Sequence, residues 1–255
     1  MAAQDLDLFG RPPAGRQTWD HRRGEPRTFA LAWTVFLMVS TLIMFASLGP
    51  ARIVTEDIYQ PAVRILIVSV TVGMVILWPM VRLCQERPRG SICSHIAHDL
   101  FIVVLPVQAL IWPQTLRMLA QWTVEQASAV SLCQAAWTTV VGAALCFAYL
   151  LESPRSQIDL RRAGWMITIL GLFIGLPLVL FASGMIDIGP ASGTGWAIMV
   201  SPITAVHELS REHPPSGVLV IRATHWLSIA VTALVGACAW MAALGIEVAR
   251  SGRKA

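Results

Sequence analysis

Two histidines and an aspartate stand together where a long apolar stretch begins, at His95, His98 and Asp99. The three-residue spacing puts both imidazoles on one face of a helix, where they could share a metal ion. The alternative is a hydrated polar helix start, in which Asp99 is favourable because a carboxylate stabilises a helix near its N-terminus. We favour the second interpretation and expect no metal here.

A second polar group, at His207, Glu208 and His213, follows an apolar segment much later in the chain. These side chains could form a mononuclear metal site, but a hydrated loop is the simpler interpretation. A transmembrane haem needs histidines that face each other at similar depth. The distribution of basic residues puts this group and the His95 pair on opposite sides of the membrane, so we expect no haem and no other cofactor.

The sequence lacks the residue patterns that ion pumping, voltage sensing, intramembrane proteolysis and nucleotide binding require. The middles of the apolar stretches contain no ionisable residue, and Arg64, Asp99, His225 and Glu247 lie near the ends, where side chains can reach polar surroundings. Pumps that rely on buried acids, voltage sensors and intramembrane proteases are therefore disfavoured. The chain has neither a GxxxxGKS phosphate loop nor a GxGxxG motif, so we expect no nucleotide site and no enzyme activity of its own.

The composition indicates that membrane helices position these residues. Of the 255 residues, 55% are apolar and 13% are charged, against about 25% charged in soluble domains. So few charges cannot cover a soluble surface of this size, which excludes soluble and disordered classes. The net charge of +4 comes from arginines at the ends and in the loops. That pattern is typical of membrane topology rather than of nucleic-acid binding.

Six stretches of 17 to 26 residues contain no Asp, Glu, Lys or Arg. A membrane helix needs about 20 mainly apolar residues, so the sequence predicts an all-α bundle of six transmembrane helices. The predicted spans are 29–49, 63–84, 99–119, 128–151, 163–184 and 225–247.

Basic residues predict the orientation, because they stay on the cytoplasmic side of membranes. The polar arm 1–28, the second and fourth loops and the tail 250–255 carry 14 of the 19 basic residues. Both termini are therefore predicted to be cytoplasmic, around a transmembrane domain at 29–249. The arm lacks the apolar core of a signal peptide, and we expect a multi-pass protein of the inner (cytoplasmic) membrane.

The longest connection, 185–224, lies on the predicted outer face. Its segment from Trp196 to Val206 is apolar but too short to cross a membrane. Pro202 is well placed in the first turn of a second short helix, where its missing N–H is harmless. The sequence predicts a short helix pair before the last span, either re-entrant or interfacial.

This layout resembles the permease subunits of six-span ATP-binding-cassette exporters. Trp196 to Leu209 occupies the place of their outer helix pair, and Ser201-Pro202-Ile203-Thr204 is similar to their Ser/Asn-Pro-Leu/Ile-Thr turn. Their second loop often reads Glu-Arg-Glu-x-Gly-Thr and docks on the ATPase. Here 85–91 keeps Glu86-Arg87 and Gly90-Ser91 but has Pro88 between them, and the arm lacks their amphipathic first helix.

The resemblance implies that the chain exports a hydrophobic or lipid-like substrate with a separate ATPase. The lack of charge in the span middles fits such a substrate better than an ion. Loop 82–98 would couple to the ATPase, and 196–210 would form an outer gate. The coupling residues would be Glu86, Arg87, Arg89, His95, His98 and Asp99, and the gate residues Trp196, Ser201, Pro202, Thr204, His207 and Glu208.

A different class also explains the missing catalytic residues, and it needs fewer components. The chain could be a non-catalytic membrane subunit that scaffolds a larger complex. The partners expected from the sequence are the lipid bilayer and either an ATPase subunit or a second copy of the chain, with no nucleic acid.

Overall fold

The protein is an all-α membrane bundle. The computed structural model describes residues 26–49, 56–85, 87–88, 90–151, 158–185, 196–211 and 221–252. In these ranges, six helical segments are long and apolar enough to cross a membrane, in agreement with the predicted number. The chain is therefore a multi-pass integral membrane protein.

Nine α-helices build the described part of the chain. They are α1 (Pro26–Ser47), α2 (Glu56–Val72), α3 (Trp78–Cys84), α4 (Ile92–Ile111), α5 (Val124–Leu150), α6 (Ile158–Leu170), α7 (Leu176–Ala182), α8 (Pro202–Leu209) and α9 (Ala223–Gly252). Short 3₁₀ helices at Trp112–Thr115 and Trp196–Val200 follow α4 and precede α8. Span 2 consists of α2 and α3, and span 5 of α6 and α7. The other four spans are α1, α4, α5 and α9.

A π-helical turn joins the two halves of span 2 and of span 5. The turns begin at Gly73 and Gly171, and each glycine precedes a proline by six residues, at Pro79 and Pro177. Proline has no N–H to donate and its ring clashes with the carbonyl four residues back. The wider turn, in which the N–H of Trp78 donates to the carbonyl of Gly73, accommodates that defect without ending the helix.

The helix ends meet in two sets, which shows that consecutive spans run in opposite directions. Phe29, at the start of span 1, packs on the guanidinium of Arg82 at the end of span 2, and Arg82 pairs with Asp99 near the start of span 3. At the other end, Trp226 of α9 donates to Glu125 of α5. We call the end with Arg82 the inner end, because the charge asymmetry predicts that it faces the cytoplasm, and the opposite end the outer end.

All six spans begin earlier than the sequence predicted, four of them by at least four residues. Span 2 starts at Glu56 instead of residue 63, span 3 at Ile92 instead of 99, span 4 at Val124 instead of 128, and span 5 at Ile158 instead of 163. The prediction bounded each span by its charged residues, whereas Arg64, Asp99 and Glu125 lie inside the helices.

Burial separates a central helix from peripheral ones. In the most apolar window of α5, 61% of residues are buried, against 17% in span 5 and in α9. The outward faces of the peripheral spans carry large apolar side chains such as Leu42, Leu178 and Leu234. Lipid is the natural solvent for such faces, so α5 is the axis around which the other spans pack.

Candidate functional site

An ion pair lies within the inner end of the bundle. A guanidinium nitrogen of Arg82, Nη2, donates to Oδ1 of Asp99, and the two residues are only 1% and 0% exposed. The expectation that Asp99 reaches polar surroundings is wrong, because Asp99 is two turns inside α4 and closed off from solvent. A buried charge is expensive unless an opposite charge and hydrogen bonds accompany it, and Arg82 supplies both.

Three further spans surround this pair. The ring of Phe29 in α1 lies 4.8 Å from the guanidinium carbon of Arg82, and the hydroxyl of Tyr149 in α5 donates to the carbonyl of Arg82. On the side of the pair towards the 85–91 loop, Nη1 of Arg82 donates to Oε1 of Gln85 at 2.5 Å. Arg162, at the start of span 5, donates to the carbonyl of Gln85 at 2.7 Å. The pair and the backbone around it therefore connect spans 1 to 5 at one depth.

Glu247 of α9 completes the inner end by capping α4. Its carboxylate accepts from the backbone N–H groups of Ile92 at 2.5 Å and Cys93 at 3.2 Å, and from the Ser91 hydroxyl at 3.2 Å. The Ser91 hydroxyl in turn accepts from the N–H of Ser94. A carboxylate is favourable at this position because the first N–H groups of a helix have no partner within the helix. Span 6 is thereby tied to the loop that precedes span 3.

The predicted coupling residues divide between a loop and a helix. The loop between spans 2 and 3 runs from 85 to 91, shorter than the predicted 82–98, and contains Arg87. His95 and His98 lie in the first two turns of α4, half-buried and exposed respectively. Glu86 and Arg89 lie outside the described residues. Among the residues described, no three His, Cys, Asp or Glu side chains are grouped so that they could hold a metal ion.

Residues 196–211, which we call the outer hairpin, enter the bundle to about half its depth. The hydroxyl of Ser201 donates to the carbonyl of Phe173 at 3.2 Å, and Phe173 lies near the middle of span 5. Met199 lines a small cleft with Cys133 of α5 and Ile229 of α9. Cys133 is nine residues from the start of α5, which is roughly 14 Å along a helix. A contact this far from the outer ends of the spans favours a re-entrant position over an interfacial one.

Side chains of the spans bind the backbone of the outer hairpin where it returns to the outer end. Nε2 of Gln126 in α5 donates to the carbonyls of Leu209 at 3.1 Å and Arg211 at 3.4 Å. Nε of Arg64 in α2 donates to the carbonyl of His207 at 3.4 Å. Irregular backbone is tolerated at membrane depth only where protein satisfies its polar groups, and these two side chains meet that requirement.

Several predicted gate residues stabilise the turn of the outer hairpin. The hydroxyl of Thr204 donates to the carbonyl of Ile198 at 2.6 Å, and Pro202 starts α8 as the sequence predicted. Trp196 begins the 3₁₀ helix, and its side chain lies outside the described part. His213 also lies outside it.

Two gate residues are titratable side chains near the C-terminal end of α8. Glu208 pairs with Arg211 at 3.5 Å. Burial lowers the pKa of the half-buried His207, and the nearby positive charges of Arg64 and Arg211 act in the same direction. His207 is therefore neutral at pH 7, without the charge that would repel the arginines.

Sequence reasoning missed the residues that hold these two regions together. A rule based on charge treats Arg82 and Glu247 as ends of apolar stretches, and their partners lie 17 and about 155 positions away. Gln126 offered one signal, since an amide in an apolar span usually bonds another helix.

Comparisons of the chain with models of protein families, with curated proteins and with solved structures found no match.

Proposed function

We propose that this membrane protein is a permease-like subunit that moves a hydrophobic or lipid-like molecule together with a separate ATPase. The observation that carries the proposal is the outer hairpin, a non-spanning segment seated inside the bundle at about half its depth. Such a segment can open or close a path to the outer face without moving a whole span.

Two helices connect the outer hairpin to the inner end. Near the outer end, α5 binds the hairpin through Gln126, and at the inner end it contacts Arg82 through Tyr149. In α9, Ile229 lies beside Met199 and Glu247 caps α4. A force applied to the 85–91 loop would therefore reach the hairpin through packed helices, which is the coupling that a permease needs.

Co-purification tests the proposal. The full chain is extracted in mild detergent from its native host, and the proteins that accompany it are identified by mass spectrometry. We expect a stoichiometric ATPase with a nucleotide-binding domain. Recovery of membrane enzymes or redox subunits without an ATPase would overturn the permease assignment.

A substitution in the loop tests the coupling. In the purified complex, Arg87→Gln should uncouple ATP hydrolysis from transport, whereas Arg117→Gln, which removes an exposed arginine near the outer end, should leave both unchanged. Equal effects of the two substitutions would contradict a docking role for the 85–91 loop.

A scaffold subunit is the second candidate, and one observation favours it. Spans 5 and 6 are only 17% buried in their apolar windows, which leaves wide apolar faces that partner helices could cover. A partner helix cross-linked along those faces, in a complex without an ATPase, would support this candidate.

A further inference from the structure

Two arginines converge on the inner end of the central helix α5. Nη1 of Arg161, in α6, donates to the carbonyl of Leu151 at 2.7 Å. Nη1 of Arg250, in α9, donates to the carbonyl of Leu150. Leu150 and Leu151 are consecutive, so the two guanidinium groups bind the same end of α5.

The two charges are not balanced by the groups they contact. A helix C-terminus carries only about half a negative charge. Within the described ranges, neither Arg161 nor Arg250 has an ion pair with an acidic side chain, and both residues are exposed. Each guanidinium has five N–H donors and uses one on the carbonyl. Among the described residues, the two guanidinium groups therefore keep N–H donors without a partner, on side chains that are exposed.

The surroundings of the two arginines are those of a lipid headgroup region. Leu160 and Val248 lie next to Arg161 and two residues before Arg250, and Leu151 supplies the carbonyl that Arg161 binds. The three leucine and valine side chains at 151, 160 and 248 are 48%, 72% and 69% exposed. Apolar side chains exposed beside paired guanidinium groups suit a ligand with one anionic group and attached hydrocarbon. The charge asymmetry predicts that this end faces the cytoplasm, whose leaflet carries the anionic lipids.

We propose that Arg161 and Arg250 form a binding site for the phosphodiester of an anionic phospholipid. The guanidinium forks donate to the phosphate oxygens, as in bidentate arginine–phosphate pairs. The acyl chains lie along the exposed apolar faces of α6 and α9. The lipid would join spans 5 and 6 at the end of α5, independently of what the protein transports.

Native mass spectrometry of the full chain, titrated with phosphatidylglycerol in mild detergent, tests this site. The Arg161→Gln/Arg250→Gln variant should bind the lipid about thirtyfold more weakly, the effect expected of two interfacial arginines. The control Arg117→Gln/Arg222→Gln removes two exposed arginines near the outer end. It should bind like the unchanged protein. Equal losses in both variants, or no loss in the first, would overturn the site.

Two further measurements identify the ligand and guard against misfolding. Millimolar inorganic phosphate should not displace the lipid, and displacement would assign the site to free phosphate instead. The Arg161→Lys/Arg250→Lys variant keeps both positive charges at the end of α5, so it should preserve the folded structure. It should bind phosphatidylglycerol more weakly than the unchanged protein but more tightly than the Gln variant. Binding as weak as in the Gln variant, with the thermal midpoint unchanged, would contradict the charge-based argument.

Discussion

Arg82 and Asp99 face each other across the inner ends of spans 2 and 3, and their side chains are only 2% and 0% exposed. The pair lies where five spans meet, so its loss reaches beyond two helices. Removing one partner leaves the other charge unpaired in an apolar interior. This lowers the stability of the fold more than removing both partners does.

Asp99→Ala should therefore lower stability by about 3–5 kcal/mol, because it leaves Arg82 buried without an anion. The Arg82→Met/Asp99→Leu variant should recover most of that loss, since its apolar side chains fill the space without a charge. Thermal unfolding in detergent measures both. A double variant no more stable than Asp99→Ala would contradict the interpretation.

Glu247→Ala should loosen the first turn of α4. Its carboxylate accepts two backbone N–H groups there, and loss of such a cap costs about 1 kcal/mol. Hydrogen exchange followed by mass spectrometry should show roughly fivefold faster exchange in the segment that contains Ile92 and Cys93. Ser94→Ala changes an exposed side chain on the same helix and serves as the control, with protection expected to remain.

Gly73→Ala and Gly171→Ala make the same change at the first residue of each π-turn. A Cβ at Gly73 would overlap the ring of Phe36 and lie 3.1 Å from Trp33, whereas one at Gly171 would meet no atom within 4 Å. We expect Gly73→Ala to destabilise the protein by about 1–3 kcal/mol. Gly171→Ala should be close to neutral. Equal thermal midpoints for the two variants would show that span 1 does not pack on the π-turn as described.

Gln126→Leu should release the outer hairpin at its return to the outer end. The substitution leaves the carbonyls of Leu209 and Arg211 without their donor, at a cost of about 1–3 kcal/mol for buried groups. Faster hydrogen exchange across 202–211 is the expected result. Gln134→Leu is the matched control, because Gln134 bonds Thr71 deeper in the bundle and should leave exchange in the hairpin unchanged.

Acid should also loosen the outer hairpin. Because the folded pKa of His207 lies below its unfolded value of about 6.5, its contribution to stability is complete above pH 6.5. That contribution is lost as the pH falls through 6.5 towards the folded pKa. Exchange across 202–211, corrected for intrinsic rates, should be less protected at pH 5.5 than at 7.5.

His207→Gln should weaken this pH response. Arg64, Glu208, Arg211 and His225 are the other charged or titratable groups that interact within or around the outer hairpin. A pH response that is undiminished in His207→Gln would contradict its assignment to His207.

The sequence was enough to predict the six spans and their number, because lipid demands long charge-free helices. It placed the start of span 3 at Asp99, since a rule based on charge cannot recognise a charge that a distant residue neutralises. Arg82 supplies that partner from another helix. Only the fold brings the two together.

The depth of the outer hairpin in the bundle could not be predicted from the sequence either. An apolar segment of eleven residues from Trp196 suits either the membrane interface or a re-entrant position, and composition does not distinguish the two. The contact between Ser201 and the carbonyl of Phe173 favours the re-entrant position. The sequence could not predict this partner, because every residue has a backbone carbonyl and residue types do not indicate which one Ser201 will contact.

The π-turn at Gly73–Leu77 makes span 2 unequally sensitive to changes in chain length. A π-turn holds one residue more than an α-helical turn, so a one-residue deletion inside it removes the extra residue and keeps the angular position of α3 about the helix axis, while Pro79 then kinks the regular helix. A residue lost between Trp78 and Arg82 would instead swing the guanidinium by about 100° around the helix axis. Natural deletions in this span should therefore fall within 73–77, where Arg82 continues to face Asp99.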